Sequence, residues 1–221
     1  PALLLLFVCT RGKGVAWPLT KHWSLYLTVG TLPVALFVML WSLFANLTSA
    51  GNPMPLPYVP LLNPLDLAQA LVFLCLITWL MTLRREGVAW LERIPKKVSY
   101  TALAALAFVW VNGVLLRTLH HWAGIAYQFD VLWRSTLVQA AFSIFWTMLA
   151  LSLMVLATRK GLRVMWMTGA ALMGVVVLKL FTIDISNVGG LARIVSFIGV
   201  AILMLVIGYF SPVPPKKAEQ S

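Results

Sequence analysis

The chain has 221 residues, 61% of them hydrophobic and only 10% charged, with 17 basic against 6 acidic side chains and a formal net charge of +11. A soluble domain carries roughly a quarter charged residues, so this chain cannot cover itself with polar surface and its solvent must largely be lipid. The basic excess does not call for nucleic acid, because it falls in short clusters between apolar runs, the positive-inside pattern of a multispan protein.

The opening stretch "PALLLLFVCTR" places an apolar run before Arg11. It is too short to cross a bilayer, which takes roughly 20 helical residues. It is expected to be the cut end of a helix, residues 1–10, from a longer parent whose N-terminal spans would be partners of this chain. A signal peptide would need a basic region first and a cleavage site after, and neither is present. Cys9 and Cys75 lie in apolar runs and read as small buried hydrophobes, with no metal spacing.

Six apolar runs follow, expected at 23–47, 66–83, 98–116, 133–157, 162–183 and 190–210. Continuous runs near this length predict transmembrane α-helices, since only helices and closed barrels satisfy their own backbone in lipid. The alternating segments of about ten residues that a β-barrel needs are absent. The fold class is therefore all-α, a polytopic transmembrane bundle of six full spans plus a truncated N-terminal one. Residues 11–221 form its six-helix domain, with short loops. Thirteen basic residues fall on one side of these spans and four, Arg117, Arg134, Lys179 and Arg193, on the other. That bias predicts a cytoplasmic C-terminal tail and an outward face carrying Lys179, Asp184 and Arg193.

Two connections have content of their own. Residues 49–64, "SAGNPMPLPYVPLLNP", contain five prolines and no charge, which suits an extended path across helix ends. The inward segment 84–97, "RREGVAWLERIPKK", is basic. It is expected to grip anionic lipid, with Val88, Trp90 and Leu91 in the headgroup layer.

No phosphate-cradling glycine loop, HExxH, paired-cysteine or G-x-S-x-G pattern is present, so nothing points to a cofactor or a metal. Candidate functional groups instead cluster at the outward helix ends. Arg117 and His121 are four apart and share a helical face, as do Asp130 and Arg134, a spacing that favours a simple ion pair. Arg193 in the first turn of the last helix opposes the macrodipole. Asp184, a lipid phosphate or a ligand would offset it, and a structural Asp184–Arg193 clamp is the plainer account. Ser135, Gln139, Ser143 and Thr147 form a polar stripe at four-residue spacing, expected to face other helices or a wet cavity, with Asn112 a candidate partner. Ala170 with Gly174, and Ala192 with Ser196, would let the last two helices approach closely.

The last third contains an Arg and Trp opening a helix (Arg163, Trp166), then "KLFTIDIS", then "LARIVSFIGVAILMLVIGY". These residues resemble the C-terminal end of a large bacterial family of predicted membrane proteins, domain of unknown function 2339. The resemblance implies a longer parent with more spans and a bacterial inner-membrane location, and it supplies no activity to carry over. Three functions are open on the residues. One is an outward-facing binding or transport module for an anionic, lipid-linked ligand, contacted by Lys179, Asp184, Arg193, Arg117, His121 and Gln139. Another is a periplasmic-face transferase using a lipid-linked donor, with Asp66, Asp130 or Asp184 as base helped by His120 or His121. The third is a structural scaffold. Membrane lipids are the partners in each, and no spacing demands an enzyme.

Overall fold

A computed structural model describes residues 1–14 and 21–180, with the isolated positions 182, 198, 205, 208 and 209. Among the described residues all regular structure is helical. Helix α1 is Ala2–Arg11, and α2, Trp23–Leu25, runs through a π-helical turn, Tyr26–Gly30, into α3, Thr31–Thr48. Then come α4, Pro64–Arg85; α5, Ala89–Glu92; and α6, Lys96–Ala123. Helices α7, Phe129–Arg134, α8, Thr136–Lys160, and α9, Arg163–Lys179, complete the described chain.

Among the described residues four helices are long and apolar enough to cross a membrane: Trp23–Thr48, Pro64–Arg85, Lys96–Ala123 and Thr136–Lys160. At about 1.5 Å per residue each exceeds a hydrocarbon core of roughly 30 Å. The expected total of six is more than these residues show. Of the fifth expected span, 162–183, the described residues show the 17 residues of α9, and the sixth, 190–210, lies outside the described residues. Helix α1, with 10 residues, is too short to span.

Local signals set the helix ends. Asn63 caps α4 by accepting from the Asp66 amide, Pro64 follows at the first position, and Arg84 and Arg85 sit in the last turn, where the dipole favours cations. Ser135 interrupts what the sequence suggests is one helix from Trp133: it caps α8 by accepting from Val138 N. The π turn lies just before Pro33, which lacks the N–H that the carbonyl four residues back would receive.

The chain forms two compact units, residues 1–129 and 130–221. In the first, Leu27, Ala35 and Val38 meet Val72, Leu76, Trp79 and Leu83 of α4, with Leu5 of α1 and Leu106 of α6 completing one core. Trp79 Nε1 donates to Thr31 Oγ1 at 2.7 Å, which satisfies the indole inside that core. Leu91, expected in the headgroup layer, is instead 2% exposed. It packs into this core with Val88 and Ile94 partly buried beside it, because an apolar side chain gains more from full burial there.

In the second unit α8 packs along α9 through Ala150, Met154 and Met173. A Cβ on Gly169 would lie 2.7 Å from Met154 Cγ and 3.0 Å from the Ala150 carbonyl oxygen, whereas nothing lies within 4 Å of one on Gly174. Close approach therefore runs through Gly169, one residue from the expected Ala170–Gly174 pair. Ala192 and Ser196 lie outside the described residues.

Candidate functional site

At the C-terminal end of α3, the N-terminal end of α4 and the C-terminal part of α6, polar side chains form a buried cluster. Ser42, Asn46, Asn63, Asp66, Gln69 and Arg117 are all at most 2% exposed. Spacing explains how each helix supplies its share: Ser42 and Asn46 are four apart, Asp66 and Gln69 three apart, and Gly113 and Arg117 four apart.

Asp66 is the hub. Its Oδ1 accepts from Arg117 Nη2 at 2.5 Å and from Trp110 Nε1 at 3.1 Å. Its Oδ2 accepts from Asn63 Nδ2 at 2.5 Å and from the Leu61 amide at 3.3 Å. Four donors leave this carboxylate, already at the positive end of α4, well compensated. Arg117 Nη1 and Nη2 also donate to Asn46 Oδ1, both at 3.3 Å. Its Nε is buried with no hydrogen-bond partner among the described residues. Asn46 Nδ2 donates in turn to the Ser42 carbonyl, and Ser42 Oγ donates to Gln69 Oε1.

Two glycines make room for the guanidinium. A Cβ on Gly113 would lie 2.9 Å from Asn46 Oδ1 and 3.0 Å from Arg117 Nη1. One on Gly51 would lie 2.7 Å from Arg117 Cδ, at a backbone φ of +61° that glycine adopts readily. Gly51 belongs to the proline-rich connection, which folds back over the helix ends. Its Tyr58 stacks on His121 with centroids 4.3 Å apart, and His121 Nε2 lies 2.9 Å from the Ala50 carbonyl, to which it donates. His120 Nδ1 donates to Ile125 O at 2.6 Å. Tyr127 OH donates to Asn46 O at 3.4 Å. Burial pushes the Tyr127 phenol above its ordinary value, while the neighbouring Arg117 charge pulls it down.

In the second unit Lys179 reaches from the end of α9 onto the polar stripe of α8. Its Nζ donates to the Gln139 carbonyl at 3.0 Å and to Ser143 Oγ at 2.9 Å. Gln139 Nε2 donates to Trp133 O at 2.9 Å, and Thr147 Oγ1 to Ser143 O at 2.7 Å. The stripe thus faces a neighbouring helix through Ser143, while Ser135 leaves it to act as the cap.

Of the expected site residues, Arg117 and His121 lie together in the first unit, and Lys179 and Gln139 together in the second. Asp184 and Arg193, and with them the Asp184–Arg193 clamp, lie outside the described residues. Asp130 and Arg134 are both exposed and form no ion pair, in keeping with the few tenths of a kcal/mol such a pair is worth. Asn112 Nδ2 donates to Phe108 O of its own helix. Ser42, Asn46, Gln69, Trp110, Gly51 and Gly113 were not singled out by the sequence. The signal that finds them is polar pairs at three- or four-residue spacing within otherwise apolar helices. Among the described residues no group of three or more His, Cys, Asp or Glu is placed to hold a metal.

A family model described as "Predicted membrane protein (DUF2339)" matches residues 1–214. No curated protein and no solved structure matches the chain. With a family match over most of its length and four helices able to span a bilayer, the chain belongs to the DUF2339 family of predicted membrane proteins.

Proposed function

We propose that this chain is a binding or transport module of the bacterial inner membrane that engages an anionic, lipid-linked ligand from the outer side. On this reading it crosses six times, the last two spans being 162–183 and 190–210, and its C-terminal tail is cytoplasmic. The thirteen-to-four distribution of basic residues supports that orientation.

The observation that carries the ligand is the placement of Lys179. A lysine near a helix end ordinarily extends its ammonium into the headgroups. Here Nζ turns onto α8 and meets the Gln139 carbonyl and Ser143 hydroxyl. A cation directed to polar groups within a membrane hairpin marks a ligand or ion path by default. Lys179 and the Gln139 stripe then form one wall of the site, to which the sequence expectation adds Asp184 and Arg193. Arg117 and His121, in the first unit, are held within it, where Asp66 matches the charge of Arg117 and the Ala50 carbonyl accepts from Nε2 of His121.

The transferase alternative draws less support, since Asp66, a fully buried candidate base, already accepts four hydrogen bonds. A scaffold role is favoured by one observation, the near-complete internal satisfaction of the cluster around Asp66.

Native mass spectrometry of protein released with its own lipids, wild type against Lys179→Met, tests the proposal. A discrete anionic adduct lost in Lys179→Met and kept in Arg93→Met, which removes an exposed charge on another loop, is the expected result. The same adduct on all three proteins, or none on any, overturns it.

A further inference from the structure

Beyond the ligand site, and independently of it, the geometry points to the connection between α3 and α4 as a membrane-inserting loop, whose partner is the acyl-chain boundary of the leaflet on its own side. The loop is built inside out. Several of its polar and small groups face the protein: Tyr58 is 8% exposed and Asn63 2%, and Gly51 packs on Arg117, while Asn52 is exposed with its Oδ1 accepting from the Met54 amide. Its large apolar side chains face away, with Met54 81%, Leu56 66% and Leu62 67% exposed. The connection between α4 and α6 has the opposite sense, with Leu91 2% exposed and Arg85, Arg93, Lys96 and Lys97 outside.

Three further facts favour lipid as the occupant of the outward apolar face. No charged residue lies between Thr48 and Pro64, so nothing must be dragged out of water when the loop enters the bilayer. The prolines at 53, 55, 57 and 60 carry no N–H, which removes donors that would be costly to leave unpaired there. Other amides are bonded locally, Leu56 to Pro53 O, Leu62 to Val59 O and Leu61 to Asp66 Oδ2. Both ends of the loop join helices of spanning length, which holds it at the bilayer boundary.

The test is spin labelling of the whole chain in nanodiscs of phosphatidylcholine and phosphatidylglycerol. Single cysteines replace Met54, Leu56 and Leu62, with Arg93→Cys as the aqueous reference. Cys9 is changed to Ala, and Cys75 is left in place because it is buried. Collision with dissolved oxygen and with a polar nickel chelate is then compared. Labels at 54, 56 and 62 should favour oxygen several-fold over the chelate, with the order reversed at 93. Chelate access at 54, 56 and 62 equal to that at 93 would place the loop in water and overturn the inference. Protection from both agents would mean that protein covers it, another segment or a second copy, and would equally overturn it.

Discussion

Arg117 and Lys179 are both cations set toward the end of a long apolar helix, and the protein handles them in opposite ways. Arg117 is wholly buried and meets a carboxylate, a carboxamide and two glycine-made clearances. Lys179 is partly exposed and turns to a backbone carbonyl and a hydroxyl of the neighbouring helix. The difference lies in what surrounds each charge. A buried charge that is paired and hydrogen-bonded holds elements together, and removing its partner is costly. The contacts of Lys179 on α8 are hydrogen bonds to neutral oxygens.

The largest effect should come from breaking the first arrangement. Asp66→Asn leaves Arg117 buried without its counter-charge, and should lower stability by about 3–5 kcal/mol in reversible unfolding in mixed micelles. Next in size, Gly169→Ala should destabilise by about 1–3 kcal/mol, because the added Cβ meets a backbone carbonyl that cannot swing aside. Gly174→Ala, in open space on the same helix, should instead raise stability by up to about 1 kcal/mol.

Lys179→Met sharpens the contrast. It should lower stability by about 1.5–3 kcal/mol, the worth of a hydrogen bond to a charged group, while removing the anionic adduct. A loss as large as that of Asp66→Asn would place both cations in the same structural class.

The smallest effect is alkaline. The folded Tyr127 phenol titrates above its ordinary value of 10.0, chiefly because it is buried. Its contribution is therefore complete below pH 10 and is lost as the pH rises through the raised value. Tyr127→Phe should flatten that part of the stability profile while changing neutral stability by only about 1 kcal/mol, the hydrogen bond to Asn46. Unfolding of both proteins across that range measures it.

The membrane-spanning helices were legible because length and apolarity alone define them. Their ends were less so. Hydropathy stops α6 at Leu116, whereas the helix continues to Ala123, because the charge of Arg117 is buried by tertiary contacts that composition does not reveal. The break at Ser135 was visible only as a polar residue within a presumed stripe, although serine is a natural helix cap. In the candidate site the sequence marked Asp66 and Arg117 separately. Their pairing spans 51 positions and requires knowing that α4 and α6 bring their polar ends together. The glycines beside Arg117 were silent for the same reason: a clearance has meaning only once the group that fills it is placed. By contrast, the Gln139–Ser143–Thr147 stripe was readable from its period, and Lys179 is the partner that the period could not name.

The most direct test of the contrast is a double-mutant cycle on Asp66 and Arg117, using Asp66→Asn, Arg117→Met and the double variant, with unfolding free energy as the readout. If the charge of Arg117 is used inside the protein, the double variant should recover much of the loss, with a coupling of about 2–3 kcal/mol. Additive losses with no coupling would mean that Arg117 answers to something other than Asp66, and would contradict the account.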